Sequence, residues 1–358
     1  MSLPRINTPE WDAEVKFYIS STRKQRDKRA KELHYNKRHS YQTAMSGRGV
    51  HVKQDVNEDA APVINLPPVV LKQYKPINAG RTGDPETAFL HLTDHHYGEI
   101  TESYNTDVYQ GRLEHLFQST MRVINLHRNM YPINDLVVPI TGDMVHGENP
   151  HQGAKVGSIS AGARDQVSGA LHRLSEFILS LKQEFTSVEL HCVRGNHGRH
   201  TREAPATSNW DLMLYDQLKI KLEPYGIKVN VSDRFYKIVD IQGLRFFLVH
   251  LDQCKGSQGI PWFALKRAIQ SWYVTHGGFD YVVGGHFHED DFLRINSKCK
   301  LIMGASLATD DEFTQEIVKT SSIPAQWLWG VHKNKGITWA YSLVADSKYY
   351  PTERVSHA

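Results

Sequence analysis

The chain has 358 residues, 40% of them hydrophobic, and a formal net charge of +3, which suits one large globular domain with an appendage. No stretch reaches the uncharged apolar length of a membrane span, and the start, Met1-Ser2-Leu3-Pro4, has no apolar signal core. The three cysteines, Cys192, Cys254 and Cys299, lack the spacing of a zinc knuckle or disulfide framework, so a reducing, cytoplasmic setting with no membrane partner is expected, that of the host if the chain is virus-encoded.

Residues 1–86 read as a basic arm and linker. Lys16, Arg23, Lys24, Arg26, Lys28, Arg29, Lys31, Lys37 and Arg38 crowd a segment in which Asp27 and Glu32 are the main offset. Good helix formers surround Ala30, yet apolar positions are too few to predict a core helix. After Gly49 the chain is punctuated by Pro62, Pro67, Pro68 and Pro76, the pattern of an extended linker. The basic run reads either as a solvated face or as a contact to a phosphate backbone, which would make binding salt-sensitive.

From Thr87 the elements alternate. A strand over 88–92 is followed by an amphipathic helix over 107–130, a strand over 136–140, a helix over 163–185 and a strand over 188–193. Pro139 is an objection to the second strand, since it forfeits a ladder hydrogen bond. The second half is richer in strands, expected over 227–231, 235–241, 244–251, 281–284, 292–295, 301–303, 327–332 and 337–343. Helices over 210–222 and 263–276 interrupt them, and Asn334-Lys335-Gly336 is a hairpin turn. A tail follows residue 346. This rhythm predicts an α/β fold with ligands at the carboxyl ends of strands.

Five polar blocks end five of these strands: Asp94-His95-His96, Gly142-Asp143-Met144-Val145-His146-Gly147, Gly195-Asn196-His197, His250, and Gly285-His286-Phe287-His288. Taken singly each is weak, because a lone His250 is more often a satisfied core histidine and Gly-Asn-His is ordinary turn chemistry. As an ordered set they gather carboxylates and imidazoles that would be costly to bury without a neutralising cation. A closed zinc site uses four ligands and often cysteine. This set has more donors and no sulfur, and the expected reading is a pair of divalent cations.

In these blocks, over roughly residues 87–346, the chain resembles the calcineurin-like metallophosphoesterases. The resemblance implies a two-sheet β-sandwich flanked by helices, a four-layer α/β fold, here with a basic N-terminal extension. It implies that Asp94, His96 and His288 hold one metal, that Asn196, His250 and His286 hold a second, and that Asp143 bridges them. Mn2+ is the first expectation, with Fe2+, Zn2+ and Mg2+ as alternatives. His197 is expected as the general acid that protonates the leaving oxygen. The family often has Asp or Glu after that histidine, whereas this chain has Gly198, so an orienting carboxylate must come from elsewhere, with Asp252 and Glu203 as candidates.

His146, three residues after Asp143, is similar to the nuclease branch of the superfamily: the nuclease subunit of the double-strand-break repair complex and its bacterial and phage relatives. There a histidine at this spacing contacts the scissile phosphate region; the alternative is a partner that orients a ligand. Arg194 also resembles the phosphate clamp of protein phosphatases, and a guanidinium grips monoesters and diesters alike. Arg199, His200, Arg202 and Lys255 lie on loops expected to line a channel for a polyanion. The expected function is a phosphodiester hydrolase acting on nucleic acid, with DNA favoured, as an exonuclease or endonuclease. The rivals are a phosphomonoesterase or cyclic-nucleotide phosphodiesterase, and a weakly active nucleic-acid-binding scaffold. A homo-oligomer is compatible with the sequence, and nothing in it supports an ATPase partner. Trp327, Trp329 and Trp339 offer either base stacking or sheet packing.

Overall fold

A computed structural model describes residues 3, 7–20, 23–33, 44–45, 48, 83–148, 158–201, 203–254, 261–309 and 323–349. The chain forms two compact units, Met1–Pro76 and Ile77–Ala358.

In the larger unit, the two-residue period of the strands decides the layering. Along β6 (Leu244–Val249), Phe246 and Leu248 join one apolar cluster, and Phe247 and Val249 join another. Along β1 (Thr87–Leu90), Phe89 meets the first of these clusters while Ala88 and Leu90 face helices. Opposite faces of each strand are therefore both buried, as in a sheet covered on both sides.

One sheet has the order β11 (Gly336–Val344), β10 (Ala325–His332), β1, β2 (Asp135–Ile140), β3 (Ser187–Cys192), β4 (Lys228–Val231), and the other β5 (Tyr236–Ile241), β6, β7 (Tyr281–Gly284), β9 (Lys300–Met303), β8 (Asp291–Arg294). In the first, β1, β2, β3 and β4 run parallel, and β10 and β11 complete it antiparallel. In the second, β6, β7 and β9 are parallel, with β5 and β8 on the edges. Phe89, Phe246, Val283, Ile302 and Trp329 fill the space between them. Helices α3 (Thr106–His127), α4 (Ala163–Glu184) and α5 (Trp210–Leu222) pack on the outer face of the first sheet, and α6 (Trp262–Thr275) packs on that of the second. The result is the expected four-layer α/β sandwich.

Helix α3 shows how the sequence achieves this. Asn105 caps it, accepting the N–H groups of Asp107 and Val108 at 3.0 Å. Leu113, Leu116, Thr120 and Ile124 recur on its buried face. Pro139 sits in a central strand at the cost of one ladder hydrogen bond: its carbonyl accepts from Leu92 N at 2.9 Å, its ring nitrogen faces the β1 side without a proton to give, and pairing continues past it at Leu92 and Ile140. The tryptophans pack: Trp329 stacks on Phe89 at 5.2 Å, Trp327 Nε1 donates to the Met303 carbonyl and Trp339 Nε1 to Glu86. Among the described residues no helix is long and apolar enough to cross a membrane.

Among its described residues the smaller unit shows helices α1 (Pro9–Ser20) and α2 (Arg23–Glu32). Here the structure departs from the sequence expectation. Helix α2 does contribute to a core, since Ala30 joins Leu3, Trp11, Tyr18, Leu33 and Met45 in a buried cluster. Arg29 bridges the helices through Glu14 at 2.6 Å. Lys24, Lys28 and Lys31, spaced i, i+4 and i+7, are exposed together on the opposite face. The proline-punctuated stretch lies outside the described residues, as do Lys37 and Arg38.

Candidate metal centre

All five polar blocks follow parallel strands, β1, β2 and β3 of one sheet and β6 and β7 of the other. Pairing persists past the strand ends. Asp94 N donates to Gly142 O at 3.1 Å and His96 N to Asp143 O at 2.9 Å, so the first two blocks run side by side. The chain there takes left-handed turns at non-glycine residues: Asp94 (φ 52°), His96 (φ 46°), Asp143 (φ 53°), His286 (φ 76°) and His288 (φ 58°). Each such turn costs on the order of 1 kcal/mol, and clustering of this kind marks functional sites. Gly195 and Gly285 permit the close approach, because a Cβ at either position would collide with the carboxylate of Asp143 or Asp94 respectively.

Two carboxylate-containing groups of donors result. Asp94, His96 and His288 bring one ligand atom each to within 4.8 Å of one another, and so do Asp143, His250 and His286. In the first group His96 Nε2 lies 3.0 Å from His288 Nε2, and Asp94 Oδ1 is 3.5 Å from His288 Nε2. Asp94 is fixed by the Thr93 hydroxyl at 2.6 Å and by the His286 N–H, which crosses between the sheets. In the second group His250 Nδ1 faces the Thr141 carbonyl at 2.8 Å. A carbonyl only accepts, so Nδ1 carries the proton and Nε2 faces Asp143 Oδ2 at 2.8 Å and Asn196 Oδ1 at 3.1 Å.

That convergence tests whether a cation fits. Asp143 Oδ2, Asn196 Oδ1 and the His250 Nε2 lone pair need a positive charge among them. A proton on Nε2 is one solution: burial opposes it, but Asp143 drives the His250 pKa up to about 10. A divalent cation is the other, and a set of carboxylate, amide and imidazole donors suits it. Burial also opposes ionisation of Asp143, yet His250 and His197 hold its carboxyl well below the usual carboxylate range. The site is therefore built to keep Asp143 charged.

His146 and His197 stand over the first group. The ring centroids of His96 and His197 are 4.4 Å apart and those of His96 and His146 5.8 Å, and the three residues bring ligand atoms within 4.8 Å of one another. His197 N donates to Asp143 Oδ1 at 2.7 Å, and burial lowers the pKa of its ring. Buried Glu99 lies 3.6 Å from His146 Nδ1. Sequence reasoning missed this carboxylate, which nothing in its spacing singles out; of the two carboxylates expected to orient His197, Asp252 is half-buried and Glu203 is exposed. Gly198 has a spatial reason, since a side chain there would collide with Asn209 Oδ1.

Arg194 is half-buried and turns Nη1 to the Asp233 carbonyl at 3.1 Å. Arg199 and His200 are exposed, the latter edge-on to Trp210. Arg202 and Lys255 lie outside the described residues.

A family model described as calcineurin-like phosphoesterase matches residues 87–290. No curated protein matches the chain. Among solved structures, vacuolar protein sorting 29 from Cryptosporidium parvum is 15% identical, covers 70% of this chain and 87% of its own, and has a TM-score of 0.34. Yfce, a phosphoesterase from E. coli, is 14% identical over 72% of this chain and 99% of its own, with a TM-score of 0.32. A 5'-nucleotidase from Candida albicans is 14% identical over 75% of this chain, which spans 54% of that protein, with a TM-score of 0.34.

Proposed function

This chain belongs to the calcineurin-like phosphoesterase family, and we propose that within it the protein is a two-metal phosphodiesterase acting on nucleic acid, most simply a DNA exonuclease or endonuclease. Asp94, His96 and His288 would hold one cation, Asn196, His250 and His286 the other, and Asp143 both. Mn2+ is the proposed ion. Bound there, such a pair supplies Lewis acidity toward water and toward the phosphoryl oxygens.

The observation that carries the diesterase reading is the pair of imidazoles, His146 and His197, set against His96. A diester carries one negative charge where a monoester carries up to two, so it needs fewer cationic clamps, and its alkoxide leaving group is served by a placed proton. The carboxylate of Glu99 behind His146 lets that ring hold and hand over a proton at the leaving oxygen. The lysine row of α2 supports a polymeric anion as partner, because three like charges on one helix face suit successive phosphates. A phosphomonoesterase is the second reading, favoured by Arg194 beside Gly195.

A matched assay with Mn2+ decides between them, using bis-p-nitrophenyl phosphate, p-nitrophenyl phosphate and end-labelled single- and double-stranded DNA. Cleavage of the diester and of DNA is expected. Monoester hydrolysis with intact DNA would establish the second reading, and tight DNA binding without turnover would leave only a scaffold.

A further inference from the structure

The first turn of α5 is wired to the loops that carry the metal centre. Asn209 caps the helix, accepting from Asp211 N at 2.9 Å, and its amide donates to Gly195 O at 2.9 Å. Asp211 is fully buried, yet its carboxylate spends little on its own helix. Oδ2 accepts the backbone N–H groups of Asp143 and Gly195, both at 2.9 Å, and Oδ1 accepts that of Met144 at 3.0 Å and, more weakly, that of Val145 at 3.4 Å. One carboxylate thus ties the loop after β2 to the loop after β3. The residues fixed by it are Asp143 itself and, immediately after Gly195, Asn196.

This is an expensive arrangement unless it serves a purpose. A second buried carboxylate beside Asp143 adds like charge at the place where the first must stay ionised. Four amides and the positive end of α5 stabilise Asp211. The left-handed turn at Asp143 (φ 53°) is held by those same amides. We infer that Asp211 is a positioning residue of the metal centre: it sets the turn that aims Asp143 at both cation positions and fixes Asn196 against it. This rests on the two-metal reading above.

The test is isothermal titration of metal-stripped full-length protein with Mn2+, read beside steady-state turnover of bis-p-nitrophenyl phosphate and thermal unfolding. Asp211→Asn keeps the shape but sets an amide donor against N–H groups. Its Mn2+ affinity should fall roughly 10- to 100-fold, the scale for groups that orient ligands. Turnover should fall in kcat with KM within about threefold of wild type, since the centre, not the substrate surface, is disturbed. Leu214→Ala, a core truncation in the same helix, lowers the unfolding temperature and leaves Mn2+ affinity unchanged below it. Asp211→Glu, which retains the charge but displaces it by a methylene, gives the same pattern as Asp211→Asn and is read where that variant does not fold. Wild-type Mn2+ affinity and kcat in whichever of the two position-211 variants folds would overturn the inference. So would affinity losses in Leu214→Ala equal to those at position 211. A wild-type protein that takes up fewer than two Mn2+ ions would instead overturn the metal reading and the inference with it.

Discussion

His250 Nε2 lies 2.8 Å from Asp143 Oδ2, a contact that joins the end of β6 in one sheet to the end of β2 in the other. Because the Thr141 carbonyl fixes the opposite ring nitrogen as a donor, Nε2 meets the carboxylate either with a proton between them or, without it, as a lone pair. Two acceptors held at this distance are a binding site for positive charge, and the identity of that charge decides the chemistry of the cleft.

His146→Ala should retain both metals and cut diester hydrolysis by about 10²-fold or more, the usual scale for a placed proton donor or electrostatic stabiliser. Glu99→Gln, which removes the charge behind Nδ1, should cost less, about tenfold. Metal content by plasma mass spectrometry and kcat/KM on bis-p-nitrophenyl phosphate check both. Full activity in His146→Ala would remove the main support for a nuclease.

Replacing Lys24, Lys28 and Lys31 together by Ser should weaken DNA binding and reduce the slope of log K against log salt by roughly 2 to 3, at about 0.7 to 0.9 for each phosphate no longer neutralised. Turnover of the small diester should not change. An unaltered salt slope, measured by fluorescence anisotropy, would assign the lysine row to solvent.

His91 is fully buried against the Thr141 hydroxyl at 2.7 Å, and burial pushes its pKa down to about 3. The folded chain therefore refuses a proton that the unfolded chain accepts near pH 6.5. The sign follows directly: as pH falls from about 6.5 toward about 3, protonation of the unfolded state erodes stability, by at most about 1.4 kcal/mol per pH unit from this group. In His91→Gln the acid-side fall in unfolding temperature should be shallower than in wild type. Parallel curves for the two proteins would show that the ring is not held neutral.

The strands and the five blocks were legible because each apolar run stops at a polar residue with turn chemistry, and that junction is local in sequence. Element ends shifted by one to three residues, as at β10, which begins at Ala325 rather than 327, and at α3, which ends at His127 rather than 130. Helix α1 was not anticipated. Trp11, Val15 and Tyr18 at i, i+4 and i+7 give it an apolar face, a signal present in the sequence beside the basic run, whereas α2 adds only Ala30 to a core completed by Leu3, Leu33 and Met45. Glu99 and Asp211 were missed for a different reason. Each acts on a block roughly 50 to 70 residues away, through contacts that exist only once the loops meet. The one signal present was Asn209 before an apolar helix, a cap that also marks where α5 docks.

The number of divalent ions that the protein holds, and their dependence on Asp143, test the two-metal centre most directly. Full-length protein loaded with Mn2+, desalted and measured by plasma mass spectrometry should carry about two ions per chain, and Asp143→Asn should lose both together with all phosphodiesterase activity, since one carboxylate serves both positions. A wild-type stoichiometry of one, or an Asp143→Asn protein that keeps two ions and its turnover, would contradict it.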